Sequence, residues 1–277
     1  MNKNYDFEKI RKEIETGENY TYLMIKPYSS DSEKNLFARK ILLDMVKERI
    51  WGEPDPVFYQ GEGRMVEVVA EGEVQYTPED IAKHYEEHIG RPYYGNLEKM
   101  LLSNTAYGII LKGNVPADLF PVIEVVRQMS GATIKVDRET GGITRLPDVS
   151  TLRFDAGFEI FQKMLNPDCT PNIPSVLPRK GENGKIKYLR EFDGENWGQL
   201  YPVQYNAEND SVDVYKYIQV KRDRMPVKIG ELGVAKNLTH TSDSKESARK
   251  EANIFVDILE RQAQANKSEN TNEGMGK

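Results

Sequence analysis

The segment Asn237-Leu238-Thr239-His240-Thr241-Ser242-Asp243-Ser244 carries more structural information than any other in this chain. Its first part is a short strand-like run. Ser242-Asp243-Ser244 then reads as a helix start, because such side chains accept from the free amides of a first helical turn. Lys245, Glu246, Ala248, Lys250 and Glu251 continue as good helix formers. The segment therefore predicts a last strand feeding a closing helix. One of only three histidines, His240, sits at the end of that strand. A histidine there is a candidate nucleophile, because imidazole is neutral near pH 7 and keeps a lone pair. Alone, it would equally read as a surface histidine beside a helix cap.

Further elements lie upstream. Residues 1–19 form a charged helical lead-in. Tyr20 to Ile25 is a compact apolar strand ending at Lys26-Pro27. Glu33 to Lys47 carries Leu36, Phe37, Ile41, Leu42 and Val46 at helical spacing. Val66 to Val69 reads as a second strand. Thr77-Pro78-Glu79-Asp80 is a strong helix start, with helical patterns to about Leu102. Ala106 to Leu111 is a third strand, and Pro116 to Met129 another helix. With the strand at His240 and its helix, this order predicts a split β-α-β arrangement. The expected fold is α+β: a four-stranded antiparallel ferredoxin-like sheet with helices, plus an inserted β-rich subdomain.

The domain expectation is correspondingly discontinuous. Residues 20–155 and 234–261 form the main domain. Residues 156–233 form the insertion, punctuated by Pro167, Pro171, Pro174 and Pro178 and then alternating through Val212, Val214, Tyr217 and Val220. The stretch 262–277 has the composition of a disordered tail.

Composition narrows the function classes. The 277 residues hold 44 acidic and 38 basic side chains, a net charge of −6. That argues against general nucleic-acid binding, but a small anion needs only a local Lys and Arg cluster. The single cysteine, Cys169, allows no internal disulfide and no cysteine-based zinc site. A reducing, cytoplasmic setting is the expectation. The first residues are charged and polar, so neither a secretory signal nor a membrane span is expected.

Several familiar signals fail. There is no phosphate-binding Gly-x-x-x-x-Gly-Lys-Ser/Thr loop, and Gly61-Glu62-Gly63 lacks the third glycine of a dinucleotide fingerprint. His84-Tyr85-Glu86-Glu87-His88 fits the His-x-x-Glu-His pattern of a zinc peptidase. The motif is short and offers no third ligand, so two helix-surface histidines are the simpler expectation.

Five ordered segments together resemble one family. His84-Tyr85 followed by Arg91-Pro92-Tyr93-Tyr94 and Leu97 is similar to the HY…RPFF…L segment of nucleoside diphosphate kinases. Met24-Ile25-Lys26-Pro27 resembles that family's first strand. Arg127 and Thr133 fall at its Arg-to-Thr spacing, and Thr151-Leu152-Arg153 resembles its TIR. Asn237-x-x-His240-x-Ser242-Asp243-Ser244 with Glu251 resembles its active-site signature.

The resemblance implies a phosphotransferase that moves the γ-phosphate of a nucleoside triphosphate to a nucleoside diphosphate through phospho-His240. It implies Mg²⁺ held mainly by the nucleotide phosphates, nucleoside di- and triphosphates as partners with no nucleic acid and no membrane, and a homo-oligomer. Lys26, Arg127 and Arg153 would supply positive charge to the phosphates, Thr133 a hydroxyl. Arginine suits this work because its planar fork meets phosphate oxygens bidentately. Tyr93 and Val234 would sandwich the base, with Leu97 beside them. Asn237 and Lys26 would bond the ribose hydroxyls. Glu251 would orient the imidazole, with Ser242 and Tyr85 as supporting contacts.

This sequence also departs from the family. Tyr28-Ser29 stands where Asp-Gly is usual, Thr241 follows the histidine in place of Gly, and Phe154 follows Arg153 in place of Gly. Glycine permits close backbone approach, so altered local geometry and lower turnover are expected. The alternative expectation is a non-catalytic nucleotide-binding or scaffolding module that uses the insertion to engage a partner.

Overall fold

A computed structural model of the chain describes residues 5–51, 59–60, 63–64, 66–181, 183–220, 223–233 and 238–274. The chain divides into two compact units. The first holds residues 1–39, 47–127 and 240–277; the second holds 40–46 and 128–239.

In the first unit, α1 (Phe7–Thr16) starts at Asp6, whose carboxylate accepts from the Lys9 amide at 3.0 Å. β1 (Tyr20–Ile25) is buried at every position, Thr21 included, as its largely apolar composition favours. Next come α2 (Ser32–Trp51), a minimal hairpin of β2 (Tyr59–Gln60) and β3 (Gly63–Arg64), and then β4 (Val66–Val74). α3 (Pro78–His84) opens with a full capping box: Thr77 accepts from the Asp80 amide, Asp80 accepts from the Thr77 amide, and Pro78 occupies the first turn. α4 (Tyr94–Ser103), β5 (Ala106–Gly113) and α5 (Val122–Ser130) follow.

In the second unit, β6 (Lys135–Asp137) and β7 (Gly142–Arg145) precede α6 (Leu152–Leu165). A run of strands comes next: β8 (Val176–Lys180), β9 (Ile186–Phe192), β10 (Trp197–Asn206), β11 (Ser211–Val220) and β12 (Asp223–Gly233). The chain closes with β13 (Thr239–Thr241) and α7 (Lys245–Gly274).

The expected four-stranded antiparallel sheet is present, in the order β13-β1-β5-β4. β1 runs against β5 from Tyr20↔Lys112 to Ile25↔Tyr107, and β5 against β4 from Val66↔Gly113 to Val74↔Ala106. β13 docks beside β1 where the Ser242 amide donates to the Tyr22 carbonyl at 3.1 Å. One core of this unit gathers Ile10 and Ile14 of α1, Tyr22 and Met24 of β1, Ile81 of α3, Ile110 of β5 and Phe255 of α7. Residues 1–19 are thus more than a lead-in, since α1 contributes to that core.

The second unit is the β-rich region, a sheet in the order β12-β11-β10-β9-β7-β6 with β8 paired to β9. Its core holds Phe154 and Phe158 of α6 with Ile143, Leu189, Tyr201, Val212, Val214 and Leu232. α6 packs on β12 at very short range. A Cβ on Gly157 would fall 2.8 Å from the Glu231 carbonyl oxygen, and one on Gly230 2.7 Å from the Phe158 ring. Only glycine allows that approach.

Three sequence expectations change. The second unit starts well before residue 156, because β6 and β7 join the same sheet as β9. Helix α5 begins at Val122, not near Pro116. Asn19 donates to the carbonyls of Val115 and Phe120 and accepts from the Val122 amide, which fixes 115–121 as a turn. Pro121 also keeps Phe120 out of the helical region. The stretch from 262 continues α7 as helix to Gly274.

Candidate active site

His240 leaves β13 just before α7, and α7 carries Glu251 back toward it. Glu251 is buried, and its Oε1 lies 2.9 Å from Nε2 of His240. Its Oε2 accepts from the Ser242 hydroxyl at 2.7 Å. Ser242 Oγ in turn accepts from the Tyr22 amide at 3.2 Å. Oε2 is therefore held by a chain anchored in β1, while Oε1 lies close to Nε2 without a formed hydrogen bond among the described residues. A carboxylate in that position favours a proton on Nε2 over one on Nδ1. Burial raises the Glu251 carboxyl above its ordinary range, opposed by nearby His84 and the Ser242 hydrogen bond.

His84 and Tyr85 enter from the end of α3. The His84 side chain is completely buried and stacks on the Tyr85 ring, with centroids 4.6 Å apart. Both rings meet His240 edge-on, at 5.0 Å from His84 and 5.6 Å from Tyr85. Burial first, then the neighbouring His240, pushes the His84 imidazole down to about 3, so it is neutral at ordinary pH. The Tyr85 hydroxyl is buried and has no hydrogen-bond partner among the described residues. Burial raises it well above the usual tyrosine range. Lys26, at the end of β1, is 8% exposed, with Nζ 5.7 Å from the Tyr85 ring centre.

The first unit thus brings together His240, Glu251, Ser242, Lys26 and Tyr85. Arg127, exposed near the end of α5, donates to the Asp243 carbonyl at 3.0 Å, in the turn that follows His240. Tyr93 precedes α4, is 43% exposed, and its hydroxyl lies 2.7 Å from Nδ1 of His88. Leu97, one turn on, is partly buried against the core.

The second unit holds Arg153 and Thr133. Arg153 donates to the Gly131 carbonyl, lies 3.4 Å from the Thr133 hydroxyl and donates to the Thr239 carbonyl at 2.9 Å. Phe154, where the family has glycine, is buried in that unit's core and faces Phe158 at 5.0 Å. Val234 and Asn237 lie outside the described residues.

The His-x-x-Glu-His pattern does not present two histidines on one helix face. α3 ends at His84, and His88 belongs to a separate 3-10 turn at Glu86–His88. Nor is His84 a surface residue. Its place beside His240 was missed, although a signal existed: His84 lies three residues after Ile81, on the face that α3 buries. Tyr76, whose hydroxyl is 3.3 Å from Nδ1 of His84 and 3.3 Å from the Tyr22 hydroxyl, was missed as well.

Comparison with known proteins points to one family. The family model for nucleoside diphosphate kinase matches residues 43–163. Those residues include Tyr85, Tyr93, Leu97, Arg127, Thr133 and Arg153 and end before His240. The nucleoside diphosphate kinase of Rhodopirellula baltica is 37% identical over 90 residues, 32% of this chain and 53% of that one. That of Cutibacterium acnes is 36% identical over 105 residues, 38% of this chain and 67% of that one. The chain thus spans about half the length of the first relative and about two-thirds of the second. The crystal structure of apo nucleoside diphosphate kinase from Encephalitozoon cuniculi superimposes with a TM-score of 0.41 at 14% identity. That superposition covers 87% of this chain and 92% of the other, too loosely to weigh further.

Proposed function

Because the chain belongs to the nucleoside diphosphate kinase family, we propose that it transfers the γ-phosphate of a nucleoside triphosphate to a nucleoside diphosphate through phospho-His240. The observation that carries this reading is the carboxylate held against the imidazole. Glu251 faces Nε2 at 2.9 Å and is itself held by Ser242 at 2.7 Å, a placement that favours a proton on Nε2 and would make Nδ1 the nucleophile.

In the first half-reaction, Nδ1 attacks the γ-phosphorus. The P–N bond forms as the P–O bond to the β-phosphate breaks, and the electron pair leaves with the nucleoside diphosphate. The positive charge gained by the ring is shared at Nε2–H with Glu251. In the second half-reaction, a terminal oxygen of an incoming nucleoside diphosphate attacks the same phosphorus, and the electron pair returns to Nδ1. One covalent intermediate serves both steps, so ping-pong kinetics follow.

Phosphoryl transfer asks mainly for positioning and charge neutralisation. Lys26, whose Nζ lies 5.7 Å from the centre of the Tyr85 ring, suits the phosphate. Arg127, which donates to the Asp243 carbonyl just after His240, would add a further phosphate contact. Tyr93, exposed and aromatic, suits base stacking near Leu97, and stacking tolerates any base.

Mg²⁺ bound to the nucleotide supplies further charge neutralisation. Mg²⁺ would be held mainly by the nucleotide phosphates, as is usual for this hard, strongly hydrated ion. A homo-oligomer and a cytoplasmic setting belong to the same proposal. Among the described residues no helix is long and apolar enough to cross a membrane, and Cys169 is a free thiol.

The test is incubation with Mg²⁺ and ATP radiolabelled at the γ-phosphate. The wild-type chain should take up acid-labile, base-stable label that a nucleoside diphosphate removes. His240→Ala should take up none, a loss on the order of 10⁴-fold or more. Stoichiometric nucleotide binding with no label on the wild type would overturn the reading.

A further inference from the structure

We propose that His84, His240 and Glu251 form a binding site for a divalent transition ion of the zinc type, and that occupancy holds His240 with its ring proton on Nδ1. All three residues belong to the first unit. One donor atom from each lies within 4.8 Å of the others. Nε2 of His240 is 2.9 Å, and Nε2 of His84 is 4.0 Å, from the same Oε1 of Glu251. Zinc bonds of about 2.0–2.2 Å place tetrahedral neighbours roughly 3.3–3.5 Å apart. These two separations bracket that spacing, and the two imidazole donors lie within 4.8 Å of each other.

A second observation points to a ligand. Nε2 of His84 is buried and makes no hydrogen bond among the described residues, and such an atom in a folded interior calls for an explanation. The other ring nitrogen, Nδ1, is 3.3 Å from the Tyr76 hydroxyl. With Nδ1–H donated to that oxygen, Nε2 becomes the lone-pair nitrogen. A metal-ligating histidine is oriented in this way by a partner on its other nitrogen. Two imidazoles and one carboxylate favour zinc over magnesium, and leave a fourth position for water.

The chemical consequence follows from the tautomer. Coordination uses the Nε2 lone pair of His240, so the ring proton moves to Nδ1. A protonated Nδ1 cannot attack phosphorus. This consequence, unlike metal binding itself, rests on the phosphotransferase reading.

The test uses the purified full chain, equilibrated with ZnCl₂ and desalted, with MgCl₂ as the comparison. One zinc per chain should be retained by elemental analysis, and no magnesium. Zinc-edge X-ray absorption should show two imidazole nitrogens. His84→Asn should lose affinity on the order of 100-fold or more. His88→Asn should retain zinc, which separates this site from the linear His-x-x-Glu-His motif. Zinc-loaded protein should take up phosphoryl from Mg-ATP at least tenfold more slowly, and a chelator should restore the rate.

Absence of retained zinc overturns the inference, as does equal retention by His84→Asn. If His84→Asn fails to fold, the wild-type absorption spectrum decides alone, and a spectrum without two imidazoles overturns the site. Phosphoryl uptake unaffected by bound zinc overturns the tautomer part. A wild-type chain that takes up phosphoryl but no zinc overturns only this inference. One that binds zinc but never phosphoryl overturns only the kinase reading.

Discussion

The two units give their buried carboxylates different company. In the second, Asp213 is met by Lys228 at 2.8 Å and by the Ser211 hydroxyl at 3.2 Å. In the first, Glu251 faces the His240 imidazole at 2.9 Å and is held by the Ser242 hydroxyl at 2.7 Å. Among the described residues, Nε2 of His84 and the Tyr85 hydroxyl make no hydrogen bond. Unmet polar capacity inside a folded protein is costly unless something binds there. The second unit exposes Trp197, Leu200, Tyr217, Ile218 and Met225 while packing Phe154 and Phe158 against β12. On the proposed function, chemistry at one imidazole belongs to the first unit, while the second offers packing.

That contrast can be broken by substitutions that separate stability from activity. The largest expected effect is on packing. Phe158→Ala removes a fully buried ring from the second unit and should cost about 3–5 kcal/mol of unfolding free energy. Urea denaturation measures the loss. Phosphoryl uptake under native conditions should change by a smaller factor than the folding constant, and an equal collapse of both would erase the distinction.

Next comes Glu251→Gln, which removes the charge facing His240. It should lower kcat/KM on the order of 100-fold, with most of the fall in kcat. Unfolding free energy should move by less than about 1 kcal/mol, because a raised carboxyl gains little from its charge. A fall confined to KM would instead give Glu251 a role in ground-state nucleotide binding.

The smallest effect is a slope. His84 has a folded value of about 3, below the ordinary 6.5. Above 6.5 both states are neutral and pH has no leverage through this group. Below it the unfolded chain takes up a proton that the folded chain refuses. Stability should therefore fall from about pH 6.5 downward, by up to about 1.4 kcal/mol per pH unit. Urea midpoints at pH 7 and pH 5 for the wild type and His84→Asn measure this term. Parallel slopes would show that burial of His84 carries no proton linkage.

Much of the first unit was legible in the sequence because its signals are local. A largely apolar run gave β1, a Thr-Pro-x-Asp start gave α3, and Ser242-Asp243-Ser244 anticipated α7. Lys26, Tyr85, Ser242, His240 and Glu251 were named from motifs and lie together in that unit. What was illegible depends on partners distant in sequence. β6 and β7 are three- and four-residue strands with mostly exposed ends, which read as loop until β9 pairs with them. The far end of α7 has a polar composition that reads as disorder, since sequence alone does not reveal continuation from a packed helical stem. His84 was misread because its motif suggested a surface pair, whereas burial follows from which face of α3 meets the core.

Arg153 and the carbonyl of Thr239 meet at 2.9 Å although 86 positions separate them. A single guanidinium therefore clasps both ends of the long excursion between them, and its loss would be felt at residues far apart along the polymer.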